Sequence, residues 1–154
     1  MTETVTIETL DHDGRLPCYV ARPDSAPKAA IIVIQEIFGV NPGIRQKCDH
    51  WASLGYLALA PDLFWRIRPG VSLDPDVEAE FHQALGLMGQ FDQLLGIADI
   101  EAAIHWARSE TAGGKVGCVG FCLGGRLAFM TAARTDIDAS VGYYGVGIEG
   151  LLAE

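Results

Sequence analysis

Basic residues are scarce in this sequence: 11 Lys and Arg stand against 20 Asp and Glu in 154 residues, a formal charge of −9. Phosphate backbones are gripped by clustered cations, so this balance argues against a nucleic-acid partner. Long apolar runs are missing too. No stretch approaches the length of a membrane span, about 18 residues, and the opening MTETVTIETL has no basic segment followed by an apolar one. A cytoplasmic, membrane-free location is expected. Cysteine is sparse: Cys18, Cys48, Cys118 and Cys122 form no CxxC pair, and no Cys or His pair completes a zinc site. No metal, cofactor or disulfide framework is expected. Internal repeats, low-complexity tracts and Ser/Gly/Pro linkers are absent as well.

What is present is enough apolar sequence, 49% of residues, to fill one sizeable core, so residues 1–154 read as a single domain. TVTIETL and RLPCYVARP read as two strands joined at Asp11–Gly14, a hairpin. AAIIVIQEIFG is a near-continuous apolar run of the kind that forms a strand buried on both faces. A helix follows: Asn41 caps it, Pro42 suits its first turn, Ile44, Cys48 and Trp51 recur on one side, and Gly55 fits its end. YLALAPD is a second buried strand. From Asp76 to about Arg108 the pattern is helical with a break near Gly89, and Ile97, Ile100, Ile104 and Ala107 line one face. KVGCVGF, LGGRLAFMTAAR and ASVGYYG then read as strand, helix and last strand. This alternation predicts an α/β fold: a mainly parallel sheet with helices on both faces.

The stretch GCVGFCLGGR at 117–126 sits at a strand-to-helix junction. A glycine, any residue, cysteine, any residue, glycine pattern there matches a nucleophile elbow, in which the central residue occupies a sharp turn and the flanking Gly120 and Gly124 let strand and helix approach. Cys122 would stand at a helix N-terminus, where partial positive charge favours the nucleophilic thiolate. The competing reading is a nucleotide-binding turn, but Gly117, Gly120 and Gly124 do not match GxGxxG.

QEIFGVN at 35–41, APDL at 60–63, GKVGCVGFCLGGRLAF at 114–129 and SVGYYGVGIE at 140–149 together resemble the dienelactone hydrolases, or carboxymethylenebutenolidases, of the α/β-hydrolase fold. The resemblance runs through the whole chain in order. It implies that Cys122 opens a lactone or ester by nucleophilic attack, that Glu36 contacts the thiol and helps generate the thiolate when substrate arrives, and that the backbone N–H groups of Ile37 and Leu123 form the oxyanion hole. Removing one such donor costs on the order of a hundredfold or more in rate.

Two departures qualify what the resemblance implies. The family's triad continues after the nucleophile with an aspartate and a histidine, whereas this sequence ends at Glu154 before either motif, so a C-terminally truncated hydrolase is expected. His12, His50, His82 and His105 all precede Cys122 and match no family base. Where the family's diene-lactone enzymes hold the substrate carboxylate with arginine and tyrosine, this chain has Phe81 and Leu85. The sequence leaves three readings open: a cysteine hydrolase of small lactones or esters, a non-catalytic scaffold that self-associates into a homo-oligomer through an apolar C-terminal sheet edge, and a redox or thiol-reactive protein using Cys122. Tyr143 and Tyr144 read as packing, Trp65 as a loop anchor able to line a pocket, Asp62 as a shaper of its loop, Arg126 as a solvated or C-terminally paired cation and Cys118 as an inert buried thiol.

Overall fold

The computed structural model describes residues 1–151; the last three residues of the expected 1–154 domain lie outside the described residues. Six strands and four helices alternate along the chain: β1 (Thr2–Glu8), β2 (Arg15–Ala21), β3 (Ala30–Ile34), α1 (Pro42–Ser53), β4 (Leu57–Pro61), α2 (Glu78–Gln90), α3 (Gln93–Glu110), β5 (Val116–Phe121), α4 (Leu123–Arg134) and β6 (Ala139–Tyr143). They form one sheet in the order β1-β2-β4-β3-β5-β6. β4, β3, β5 and β6 run parallel, and the β1–β2 hairpin joins antiparallel through β2 on β4. The sheet is therefore parallel at its centre and mixed as a whole.

The helix after β3 starts where its sequence signals say it should. Asn41 Oδ1 accepts from the Ile44 N–H at 3.1 Å, and Gly55, at φ +93°, ends the segment. Ile44 and Cys48 of α1 pack with Val33, Ala58, Ala60 and Val119 on one face of the sheet. Side-chain alternation sends Ile32, Ile34, Leu59 and Cys118 to the opposite face, where α3 and α4 cover them with Ile100, Ile104, Leu127 and Ala128. Helices thus lie on both faces.

The expected break near Gly89 falls at Phe91–Asp92, because Asp92 accepts from the N–H groups of Leu94 and Leu95 and so starts α3 afresh. Gly89 has open space around it and stays helical. At the far edge, β6 pairs with β5 in the register Val119↔Val141 and Phe121↔Tyr143, and its other side meets no strand among the described residues. Val141 is 50% exposed and Tyr143 51%. Among the described residues no helix is long and apolar enough to cross a membrane.

Candidate active site

The carboxyl ends of parallel strands line a common crevice, and β3 and β5 deliver their next residues into it side by side. Cys122, the residue after β5, has φ +56° and ψ −115°, a conformation that side chains rarely adopt and that costs about 1–3 kcal/mol. The turn is held from several sides. Its N–H donates to the Tyr143 carbonyl (3.0 Å), and its carbonyl accepts from the N–H groups of Gly125 (3.0 Å), Arg126 (3.2 Å) and Val146 (3.4 Å). The flanking glycines are there for space. A Cβ on Gly120 would lie 1.8 Å from the Gly124 carbonyl oxygen, and one on Gly124 would lie 2.4 Å from that of Ile34. Strand, elbow and helix therefore touch backbone to backbone.

Around the thiol the structure brings together two of the residues named from sequence, Leu123 and Glu36. The Leu123 N–H is directed at the Cys122 sulfur, and the Glu36 carboxylate is close enough to act on the same atom electrostatically. Ile37 is buried, and its backbone N–H donates to no acceptor among the described residues. Glu36 is itself steered from behind: Gln35, fully buried, donates through Nε2 to the Glu36 carbonyl (3.1 Å) and accepts at Oε1 from the Leu63 N–H (3.0 Å).

The resting thiol differs from the thiolate that the helix N-terminus suggested. Burial pushes the Cys122 thiol above its ordinary range, the Leu123 N–H draws it back, and the negative charge of Glu36 raises it again. Desolvation and a facing carboxylate outweigh the helix end. The other thiols, Cys18, Cys48 and Cys118, are buried and pushed up by desolvation, Cys118 lying 3.1 Å from Ser140 Oγ.

Tyr144 is the residue that sequence reasoning missed. Its hydroxyl donates to Glu36 Oε1 at 3.4 Å, its backbone sits at φ +39°, and burial, then the charge of Glu36, raise its phenol above the usual value. Nothing in the YYG triplet announces a left-handed tyrosine. Tyr143 does pack, its ring stacking on Phe121 with centroids 5.3 Å apart. Arg126 is paired rather than solvated: it binds Gln93 and the Gly147 carbonyl and staples the segment after β6 to α4. Trp65 is an anchor, its Nε1 donating to Asp99 Oδ2 at 2.9 Å. Asp62, 5% exposed, accepts from the N–H groups of Phe64 (3.2 Å) and Gly70 (2.7 Å) and so shapes the loop after β4.

The histidines stay outside the cluster. His12 pairs with Glu8 in the hairpin turn, and His50, His82 and His105 lie on α1, α2 and α3. At the mouth, Phe81 stands 6.1 Å from Phe38, the neighbour of Ile37, and Leu85 lies one turn further along α2; both are about two-fifths exposed. That face offers hydrocarbon where a carboxylate grip would need a cation.

A residue on a strained strand-to-helix turn, at the carboxyl edge of a parallel sheet with helices on both faces, defines an α/β-hydrolase fold. The sequence relationships narrow this further. The family model described as the dienelactone hydrolase family matches residues 16–154, and the chain belongs to that family. It is 45% identical over 151 residues to carboxymethylenebutenolidase from Pseudomonas putida, covering 97% of this chain and 63% of the relative. It is 45% identical over 139 residues to carboxymethylenebutenolidase 1 from Cupriavidus pinatubonensis, covering 88% and 58%. A crystal structure from Klebsiella pneumoniae, provisionally named a dienelactone hydrolase, superposes with a TM-score of 0.77 at 33% identity, covering 94% of this chain and 60% of that one. The chain thus spans somewhat under two thirds of the length of these relatives.

Proposed function

We propose that the chain carries the nucleophile half of a hydrolase that opens a small lactone or carboxylic ester. The single observation behind this reading is the elbow itself: Cys122 at φ +56°, with the Leu123 N–H on its sulfur and Glu36 facing it. The thiol proton passes to the Glu36 carboxylate, sulfur attacks the carbonyl carbon, and the electron pair of the carbonyl moves onto oxygen. This reading assigns the N–H groups of Leu123 and Ile37 to stabilise that oxyanion. Its collapse breaks the C–O bond, the leaving alkoxide or enolate takes a proton, and an acyl thioester remains on Cys122. Water then cleaves the thioester, a step that needs a general base. The triad acid and base of the family match no residue among these 154.

The test is a burst experiment with p-nitrophenyl acetate on the 154-residue chain beside its Cys122→Ala variant. The expected result is about one equivalent of p-nitrophenol released per chain, then near-silence, and no burst from the variant. A folded chain with no burst, or a burst that survives in the variant, would overturn the reading. The redox reading is disfavoured because reactive redox thiols have a lowered pKa and Cys122 moves the other way.

Self-association is a second proposal, supported by the open side of β6 and the exposed Val141 and Tyr143 along it. Such an edge favours pairing with a second copy.

A further inference from the structure

A tetrahedral intermediate on Cys122 can expel either sulfur or oxygen. A thiolate is the less basic of the two and leaves more readily than an alkoxide, so the intermediate falls back to thiol and ester unless a proton reaches the leaving oxygen. The proton is already in the site, on the carboxyl of Glu36 once that group has taken it from the thiol. Glu36 faces the sulfur, and no histidine stands beside it among the described residues to carry the proton onward.

Tyr144 stands where a carrier is needed. Its hydroxyl donates to Glu36 Oε1 at 3.4 Å, and the charges of both Glu36 and Cys122 act on the phenol. Hydrogen bonds among catalytic groups are often this long before substrate arrives and tighten in the complex. The residue is 65% exposed, so a bound ester can reach it. Its backbone is fixed to the nucleophile: the Tyr143 carbonyl before it accepts from the Cys122 N–H (3.0 Å), and the Val146 N–H after it donates to the Cys122 carbonyl (3.4 Å). At φ +39° it holds a conformation that side chains rarely adopt. Packing does not explain this placement, because Tyr143 stacks on Phe121 at 5.3 Å whereas the Tyr144 ring is tilted and 6.1 Å away.

We propose that Tyr144 is a catalytic residue, a relay that hands the thiol's proton from Glu36 to the leaving oxygen. As the C–O bond breaks and its electron pair moves to oxygen, the phenol proton passes to that oxygen. The protonated Glu36 carboxyl returns its proton to Tyr144 Oη in the same step. The alcohol or enol departs neutral, Glu36 ends as a carboxylate and the phenol is as it began. The relay rests on the hydrolase reading of the elbow and adds to it the donor for the leaving group.

The experiment follows acetylation of Cys122 by mass spectrometry in the 154-residue chain and in its Tyr144→Phe variant, with p-nitrophenyl acetate and with phenyl acetate. p-Nitrophenoxide leaves unaided, whereas phenoxide is more basic and needs the proton. Tyr144→Phe is expected to lower the ratio of the phenyl acetate rate to the p-nitrophenyl acetate rate on the order of a hundredfold. Both esters meet the same thiol, so whatever the lost hydrogen bond does to Glu36 or to the sulfur cancels in the ratio. The substitution removes one hydroxyl from an exposed side chain and keeps the ring beside Phe121, and circular dichroism checks that the variant is folded. An unchanged ratio, with both esters slowed equally or neither slowed, overturns the relay and leaves the nucleophile in place. No acetylation of the unmodified chain by either ester would remove the hydrolase reading and the relay with it.

Discussion

The hydroxyl of Tyr144 lies 3.4 Å from Glu36 Oε1, joining positions 108 residues apart in sequence beside the one thiol that is not buried. This contact makes the charge on Glu36 a controllable input to Cys122. Glu36 raises the Cys122 thiol pKa, so Glu36→Gln should lower it and move the alkylation profile with iodoacetamide to lower pH. Tyr144→Phe, which strips a hydrogen bond from the carboxylate, should move the profile slightly the other way. Peptide mapping should place the label on Cys122, and a profile unchanged in both variants would break the link.

Packing at the elbow predicts the cost of a single methyl group. Gly124→Ala sets a Cβ against the Ile34 and Gln35 carbonyl oxygens and should lower stability by about 3 kcal/mol in urea denaturation. Gly86→Ala, a helical position with open space around it, should instead raise stability by about 0.5–1 kcal/mol. Equal effects would contradict the close approach.

Asp99 holds the loop after β4. It is 1% exposed and accepts from Arg66 Nη2 (2.8 Å) and Nε (3.2 Å) and from Trp65 Nε1 (2.9 Å). Asp99→Ala leaves a partly buried arginine and an indole N–H without their partner, and should cost about 3 kcal/mol in the same denaturation assay.

The open edge of β6 predicts the oligomeric state. Light scattering at micromolar concentration should give a mass above that of one chain, and Val141→Lys, a charge in the middle of the edge strand, should restore the monomer. A monomeric mass for the unmodified chain would exclude the association.

Most of the scaffold was legible because its signals are local. Asn41, Pro42 and Gly55 mark α1 through capping and turn chemistry, and the apolar run at Ala30–Ile34 marks a central strand by burial on both faces. The elbow was legible for the same reason, since Gly120 and Gly124 record a backbone approach in the sequence itself. What escaped is what depends on distant partners. Gly89 carried the stronger helix-breaking signal, yet the Asp92 cap decided the break. The lowered thiol pKa expected at a helix end was reversed first by burial and then by Glu36, both of which only the fold supplies. Tyr144 and Arg126 drew their roles from the segment after β6, whose path no periodicity encodes.

The elbow and the sheet edge are mechanically one part. The Tyr143 carbonyl that accepts the Cys122 N–H belongs to the last residue of β6, and the Val146 N–H that caps the Cys122 carbonyl lies three residues further on. Any strand that docks on β6 and shifts it therefore drags both ends of the nucleophile's peptide frame. Occupancy of the edge becomes a lever on the sulfur, with the backbone as its shaft and no side chain needed to transmit the load.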